Sequence, residues 1–328
     1  PWQEAGPEDA MTTGPMGFDK SGKLLYMRDS RGRDTAALTI VDLTSGESTV
    51  LFESKKADIA GLSVHPTEKY IEAASVNYER AEWTILDTRM KAVFERLGKV
   101  DDGDPQLASR SLDDKHWIVA FTRSDGPVRY FHYDRGTQKA RFLFTNRTDL
   151  ENVQLARMEP VQIKSRDGLT LVSYLTLPRG VARKGLRPEK SLPLVLLVHG
   201  GPWARDRWGY NPLHQLLANR GYAVLSVNFR GSTGFGKAFL NAANLQWGRK
   251  MHDDLLDAVE WAVAQGIADP QKVAIMGGSY GGYATLIGLT LTPDTFACGI
   301  DIVGPSNLNT LIATIPPYWS AMRQMFAT

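Results

Sequence analysis

The chain of 328 residues carries 38 lysine and arginine residues against 36 aspartate and glutamate residues, a formal net charge of +2. Basic and acidic residues are interspersed, so neither nucleic acid nor another polyanion is an expected partner. Apolar residues make up 43% of the chain and charged residues 23%, as is usual for a soluble globular protein. The longest apolar run, near 192–198, is far shorter than the ~20 residues of a membrane helix. The length allows two domains, each with its own core.

The single cysteine, Cys298, excludes an internal disulfide and any zinc site built from several cysteines. Cys298 lies in an apolar run, which predicts a small core residue. The first residues contain no basic segment followed by an apolar core, so no signal peptide is visible. Cytoplasm and periplasm both remain open as compartments, and the sequence does not decide whether identical chains associate.

Residues 1–155 show the turn-rich alternation of an all-β domain. Three segments share the order strand, polar turn, strand, at an offset of about 46 residues: 17–26, 63–71 and 109–118. Each is followed by a further strand that ends in aspartate: 37–42, 82–87 and 129–134. The repeat predicts three four-stranded blades of a partial β-propeller, with a β-sandwich as the alternative. Three blades do not close a ring of ~4–8, so we expect the propeller to be cut on its N-terminal side.

Residues 156–328 change to an alternation of buried strands and helices, which is typical of an α/β domain. A hairpin is predicted at 161–164 and 169–174. Further strands are predicted at 194–198, 223–227, 273–276 and 297–303. Helices are predicted around 213–219, from about 254 to 265 with Asp253 or Asp254 as the cap, and from Gly282. The pattern predicts a mostly parallel sheet with helices on both faces.

Residues 277–281, with the sequence Gly-Gly-Ser-Tyr-Gly, fit the pattern of a nucleophile elbow. Such an elbow holds a serine on a sharp turn between a strand and a helix, and small neighbours are needed because the backbone packs tightly. A buried strand is predicted to end at Met276, and a helix is predicted to begin just after Ser279. We therefore interpret Ser279 as a nucleophile, with a glycine-rich packing turn as the alternative.

The sequence His199-Gly200-Gly201-Pro202 follows the predicted strand at 194–198. An acyl-transfer enzyme must stabilise an oxyanion, and backbone N–H groups of a glycine turn beside the nucleophile can do so. We predict that the N–H groups of Gly201 and Tyr280 form the oxyanion hole. His199 precedes the elbow, whereas this fold places its catalytic histidine last, so we interpret His199 as a structural residue that braces the turn.

Together, residues 199–202, 228–236 and 277–283 resemble the prolyl oligopeptidase family, and most closely its acylaminoacyl-peptidase and dipeptidyl-peptidase-like branch. The resemblance covers about 161–305. It implies an α/β-hydrolase domain, an N-terminal propeller that restricts large substrates, and cleavage of short peptides through an acyl-enzyme. By position it also implies Ser279 as the nucleophile and the N–H groups of Gly201 and Tyr280 as the oxyanion hole. The resemblance also implies that Arg230 braces loops and does not bind substrate.

The sequence departs from the family pattern after the elbow. All six histidines precede Ser279, and the family's acid and histidine follow two further strands. We therefore expect both residues to lie beyond Thr328, leaving the hydrolase domain incomplete and these 328 residues inactive alone. We also expect the strand at 297–303 to present an apolar edge, which makes the isolated chain prone to aggregation.

The positions of several single residues predict their roles. Asp301 lies in a strand, where an acid is usually structural. The consecutive residues His252, Asp253 and Asp254 point about 100° apart on a helix and cannot converge on a metal. Trp203 and Tyr280 are candidates for substrate binding, as is the stretch 316–319.

The sequence predicts a serine peptidase that takes oligopeptides as its binding partners and needs no cofactor and no metal. A carboxylesterase of the same fold and a non-catalytic propeller scaffold with an inactive hydrolase domain are the alternatives. A dinucleotide-binding fold is disfavoured because Ser279 occupies the place of a required glycine. Residue preference at the cleaved bond is not decided by the sequence.

Overall fold

A computed structural model describes residues 4–316, and within it the chain divides into two compact units. The first unit comprises the residues up to Leu155 together with Gly234–Lys237. The second comprises Ala156–Thr233 and the residues from Ala238 onward. Among the described residues, no helix combines the length and the apolar character that are needed to cross a membrane.

Three antiparallel sheets make up the first unit, and each is a meander of consecutive strands. The first sheet contains β1 (Gly14–Phe18), β2 (Leu24–Asp29), β3 (Ala37–Asp42) and β4 (Ser48–Phe52). The second contains β5 (Ile59–Val64), β6 (Ile71–Asn77) and β7 (Ala81–Ile85), after which helix α1 (Lys91–Leu97) follows. The third contains β8 (Asp104–Arg110), β9 (His116–Thr122), β10 (Arg129–Asp134) and β11 (Lys139–Thr145). The repeated segments of the sequence coincide with the first hairpin of each sheet.

Consecutive sheets share apolar cores. Tyr26 and Leu38 of the first sheet cluster with Ile59 and Val76 of the second. A second cluster joins residues after β7 to the third sheet: Met90, Leu97, Trp117, Val119, Phe121, Phe131 and Tyr133. The prediction of four strands in every blade is wrong for the second sheet, because α1 occupies the chain where a fourth strand was expected. Sheets that bury their faces against the next sheet are compatible with propeller blades, and the ring itself stays a prediction.

One six-stranded mixed sheet forms the second unit, in the order β12-β13-β17-β16-β18-β19. Its strands are β12 (Met158–Lys164), β13 (Thr170–Thr176), β16 (Leu192–Val198), β17 (Ala223–Val227), β18 (Ala268–Gly278) and β19 (Cys298–Ile302), and a short hairpin of β14 (Arg183–Lys184) and β15 (Arg187–Pro188) lies apart from them. Strands β17, β16, β18 and β19 run parallel, while β12 and β13 form the predicted antiparallel hairpin.

The central strands are buried on both faces by helices. On one face Met276 of β18 clusters with Leu213 and Leu217 of α2 (Pro212–Ala218). The neighbouring residue Ile275, whose side chain points to the opposite face, lies against Gly288 of α5 (Tyr280–Leu291). The remaining helices are α3 (Lys237–Asn241), α4 (Lys250–Ala264) and α6 (Leu308–Thr314).

The predicted capping role of Asp253 or Asp254 is wrong. Helix α4 begins at Lys250, with Arg249 in the cap position and no side chain bonded there. Asp254 therefore lies one turn inside the helix, where it is fully buried and binds Arg230. The apolar spacing located the helix correctly, but an acidic residue near its start had a tertiary partner instead of a capping role.

Strand β19 lies at the edge of the sheet and is largely exposed. Ile300 and Ile302 retain 45% and 42% of their accessible surface, and Cys298 is exposed. The prediction that Cys298 is a small core residue is therefore wrong. An apolar run does indicate a strand here, but within the described residues nothing pairs with its outer side.

Candidate active site

Ser279 occupies the junction between the end of β18 and the start of α5. Its backbone has φ 56° and ψ −118°, a conformation that non-glycine residues rarely adopt. Two hydrogen bonds hold it there: the Ser279 N–H donates to Ile302 O at 2.9 Å, and the Tyr283 N–H donates to Ser279 O at 3.0 Å. The side chain of Ser279 is exposed although both flanking elements are buried. This is the strained, outward-pointing serine that the sequence predicts.

The glycines around Ser279 are required by close backbone contacts. A Cβ atom on Gly277 would lie 2.5 Å from the carbonyl group of Gly281. One on Gly281 would lie 2.1 Å from Val198 O, and one on Gly282 would lie 2.2 Å from Asp301 Oδ1. Most of the obstructing atoms belong to the backbone and cannot move aside. The turn can therefore be this sharp only with glycine at these positions.

The loop after β16 lies beside the serine. A Cβ atom on Gly200 would be 3.4 Å from Ser279 Cβ and 3.1 Å from Gly278 O. Gly201 has φ 127°, and a Cβ atom there would meet the backbone nitrogens of Trp203 and Ala204 at 2.7 and 3.0 Å. The structure thus brings the predicted oxyanion loop and the predicted nucleophile together.

The two predicted oxyanion donors form no hydrogen bond within the described part of the chain. The N–H of Tyr280 lies in the first turn of α5, where an amide has no partner inside the helix. Within residues 4–316, neither this N–H nor that of Gly201 donates to another group. Trp203 lies half-buried on the turn after Gly201, and its contact with a substrate stays a prediction. The stretch 316–319 lies outside the described residues from Pro317 onward.

Both ring nitrogens of His199 are engaged away from Ser279. Nδ1 lies 2.8 Å from Gly200 O, and Nε2 lies 2.9 Å from Ser232 Oγ. Desolvation lowers the pKa of His199 to about 4. A ring that is neutral and bonded on both sides braces the loop, which is the structural role that the sequence predicts.

The other histidines in the described part of the chain also have partners other than Ser279. His214 bonds to Thr176 and Ser226, and burial lowers its pKa to about 3. His252 bonds to Thr292. His116 pairs with His132, and His65 stacks on Tyr70. Among the described residues, no side chain hydrogen-bonds to the hydroxyl of Ser279.

An aromatic stack supports the loop and the elbow together. The ring of His199 lies on Phe229 with centroids 4.4 Å apart, and Phe229 lies on Tyr280 with centroids 5.2 Å apart. Trp247 meets Tyr280 edge-on at 4.7 Å. Burial raises the pKa of the Tyr280 phenol far above its ordinary value, so this ring is a neutral packing group. The side chain of Tyr280 is 2% exposed and packs among aromatic rings, so the structure does not support its predicted place in the substrate pocket.

Arg230 braces three segments, as predicted. Its guanidinium group donates to Asp254 Oδ1 at 2.7 Å and to Asp167 Oδ1 at 2.8 Å. Arg230 and Asp254 expose 3% and 0% of their side chains, so this ion pair is desolvated. Asp167 belongs to the turn of the β12–β13 hairpin, and Arg230 holds the pKa of that carboxyl group well below its ordinary value.

The other acidic candidates are also structural. Asp301 Oδ1 accepts the Gly304 N–H at 2.8 Å, beside the start of α5. Asp253 pairs with Arg166, and Asp254 pairs with Arg230. Because His252 bonds elsewhere, the three consecutive residues 252–254 do not share a ligand position.

A different group of side chains has the spacing of metal ligands. Atoms of His65, Glu72 and Asp114 lie within 4.8 Å of one another in the first unit. However, Arg110 donates to Glu72 at 2.9 Å and to Asp114 at 3.0 Å. Arg135 also pairs with Asp114. Two arginines already neutralise the two carboxylates, so we interpret the group as an ion-pair network rather than a metal site.

Sequence reasoning missed Asp206, which follows the oxyanion loop. Its Oδ2 atom is buried without a hydrogen-bond partner, and desolvation raises the pKa of its carboxyl group to about 7. The Asp206 N–H donates to Asn228 Oδ1 at 2.8 Å. Ser232, the partner of His199, was likewise assigned only to a structural stretch. Neither residue has a local sequence pattern that reveals its tertiary contact.

Comparison with known proteins agrees with this geometry. Residues 208–326 match the model of the prolyl oligopeptidase family. A dipeptidyl aminopeptidase BIII of Pseudoxanthomonas mexicana is 55% identical over 98% of this chain and 47% of its own length. Dipeptidyl peptidase family member 6 of Caenorhabditis elegans is 40% identical over 97% of this chain and 45% of its own length. The chain thus spans about half the length of these curated relatives.

Among solved structures, a puromycin-hydrolyzing peptidase of Mycobacterium tuberculosis superposes with a TM-score of 0.74 at 23% identity, over 95% of this chain and 47% of that one. An acylaminoacyl peptidase of Pyrococcus horikoshii superposes with a TM-score of 0.66 at 20% identity, over 92% of this chain and 46% of that one. These likenesses concern the fold. Residues 208–326 thus match the prolyl oligopeptidase family, and the two dipeptidyl peptidase relatives are similar to nearly all of the chain.

Proposed function

We propose that this chain carries the nucleophile and the oxyanion-binding loop of a serine peptidase that cleaves short peptides through an acyl-enzyme. The observation that supports the proposal is the exposed Ser279 in a strained backbone conformation, with two unengaged N–H groups nearby. The names of the two relatives favour release of dipeptides from the amino terminus of a peptide.

In the proposed reaction Ser279 Oγ attacks the scissile carbonyl carbon while its proton passes to a general base. The carbonyl π electrons move to the oxygen, and the N–H groups of Gly201 and Tyr280 stabilise the resulting negative charge. Collapse of this intermediate breaks the C–N bond, and the leaving amine takes the proton from the base. Water then attacks the acyl carbon while the base takes its proton, and collapse of this second intermediate breaks the bond to Ser279 Oγ, which takes the proton from the base.

The general base in this proposal lies outside the described residues. His199 is held by two hydrogen bonds, and His252 and His214 are bonded elsewhere. An acid that orients the base is also to be sought outside residues 4–316. We therefore expect residues 1–328 alone to react weakly and the complete protein to react strongly.

Labelling with a fluorophosphonate probe tests this function. We expect the complete protein to be labelled and its Ser279→Ala variant not to be, because the probe bonds to an activated serine hydroxyl. Release of anilide from a dipeptidyl anilide, compared with turnover of a matched ester, separates a peptidase from a carboxylesterase. Strong labelling of residues 1–328 alone would contradict the assignment of the base. Absence of labelling in both forms would favour a non-catalytic scaffold.

A further inference from the structure

The carbonyl group of Gly200 and the N–H of Gly201 belong to one peptide group, and His199 binds that group. Nδ1 of His199 lies 2.8 Å from Gly200 O. Because a carbonyl oxygen only accepts hydrogen bonds, Nδ1 must carry the proton. The peptide is trans and planar, so its N–H points away from its C=O. A hydrogen bond that fixes the direction of the carbonyl therefore also fixes the direction of the Gly201 N–H.

The imidazole ring is itself held on two sides. Nε2 lies 2.9 Å from Ser232 Oγ, and the ring is stacked on Phe229 with an angle of 16° between the planes. Since Nδ1 carries the proton of the neutral ring, Nε2 is an acceptor. The Ser232 hydroxyl has one hydrogen, and its oxygen also lies 2.7 Å from Phe229 O, so Nε2 and that carbonyl oxygen share the hydrogen. Ser232 and Phe229 are fully buried, and the Ser232 N–H donates to Phe229 O at 3.0 Å. The hydroxyl therefore starts from a fixed backbone position.

The oriented peptide lies beside Ser279. A Cβ atom added at Gly200 would be 3.4 Å from Ser279 Cβ, and the Gly201 N–H donates to no other described group. We propose that His199 and Ser232 are positioning residues, which together aim the Gly201 N–H at the oxyanion that forms when Ser279 attacks. This inference rests on the proposed function, because it assigns the residues that preorganise the same site.

The expected change in kcat follows from how much a preorganised hydrogen-bond donor stabilises the oxyanion. Loss of one oxyanion-hole donor lowers kcat by about 10²–10³-fold. A donor that remains present but loses its orientation should lower kcat by roughly 10–10²-fold, since part of the ensemble still points correctly. KM should change little, because the ground-state carbonyl depends less on this N–H than the oxyanion does.

Two substitutions of the histidine separate its two nitrogens. The amide nitrogen of asparagine takes the place of Nδ1, and the amide group of glutamine takes the place of Nε2. We expect His199→Asn, which keeps a donor for Gly200 O, to lose less than about tenfold in kcat. We expect His199→Gln, which loses that donor, to lose about 10²-fold with KM within about twofold.

Substitution of Ser232 provides a matched test in case a variant of His199 fails to fold. We expect Ser232→Ala to lower kcat roughly tenfold and Ser232→Thr, which keeps the hydroxyl, to restore most of it. A peptide boronic acid, which forms a tetrahedral adduct with Ser279, should bind the Ala variant more weakly by the same factor. Unfolding temperatures of all four variants show whether the loss is only structural.

The outcomes distinguish this inference from the proposed function. Wild-type turnover that disappears in Ser279→Ala establishes the function independently of His199. If turnover is present but His199→Asn and His199→Gln have equal kcat, or Ser232→Ala equals wild type, the positioning role is overturned while the function stands. If wild type shows no turnover and no labelling, the proposed function itself fails.

Discussion

The hairpin turns of the first unit and the strand-end loops of the second unit are held by different kinds of contact. In the turn between β1 and β2, Asp19 Oδ1 accepts the Leu24 N–H at 2.9 Å and Oδ2 accepts the Ser21 N–H at 3.1 Å. Gly22 in the same turn has φ 71° and open space around it. Both of these hydrogen bonds of Asp19 join residues that are no more than five positions apart in the sequence.

The loops around Ser279 depend on residues that are distant in sequence. Gly281 lies against Val198, His199 reaches Ser232, and Arg230 joins Asp254 to Asp167. A local turn tolerates the loss of one contact because its neighbours still favour the same bend. A loop held by distant groups does not, because removing one leaves a buried partner without compensation. The second kind of loop carries the candidate site.

The largest effect on the free energy of unfolding is expected for Arg230→Met in the second unit. The substitution leaves the buried carboxylate of Asp254 without its partner, which should lower the free energy of unfolding by about 3–5 kcal/mol. Denaturant unfolding followed by tryptophan fluorescence measures it. The control is Lys20→Met, which removes an ion pair whose partners are 62% and 50% exposed. Equal stability of the two variants would show that the buried ion pair of Arg230 contributes no more than an exposed one.

A smaller difference in the free energy of unfolding is expected between alanine substitutions of two glycines. Gly281→Ala places a methyl group 2.1 Å from Val198 O, which should lower the free energy of unfolding by about 2–3 kcal/mol and reduce fluorophosphonate labelling. Gly22→Ala adds a methyl group in open space and strains only φ, at about 1 kcal/mol. The unfolding midpoints of both variants are compared with wild type. A larger loss in Gly22→Ala would reverse the comparison.

The smallest effect is expected for the pH dependence that Asp206 contributes. Its folded-state pKa of about 7 lies above the unfolded value, so the folded state binds a proton that the unfolded state does not. Stability from this group is fully present below the unfolded pKa of about 4 and is lost as pH rises towards 7. About 1 kcal/mol of this loss falls between roughly pH 6 and pH 8. Asp206→Asn, which does not titrate, should remove that part of the slope. Identical slopes for variant and wild type would contradict the assignment.

Predictions from the sequence succeeded where a pattern is local. Strand β17 lies at the predicted 223–227, and the hairpin of β12 and β13 turns at the predicted 165–168. The elbow was found because its glycines are adjacent to Ser279 in the sequence. Where burial depends on a neighbouring strand, the prediction from the sequence was wrong. Cys298 was predicted to be buried because its neighbours are apolar, but it lies on the exposed edge strand.

The sequence by itself determined the periodicities of both units, the strand–turn–helix that carries Ser279, and the glycine loop at 199–202. These features follow from side-chain spacing and from backbone conformations that only glycine permits. Only the tertiary structure decided that His199 is bonded to Ser232, that Asp254 pairs with Arg230, and that Asp206 Oδ2 is buried without a hydrogen-bond partner. Such pairings depend on which segments the sheet order brings together. The burial of a side chain by residues distant in sequence leaves no pattern in the sequence around it.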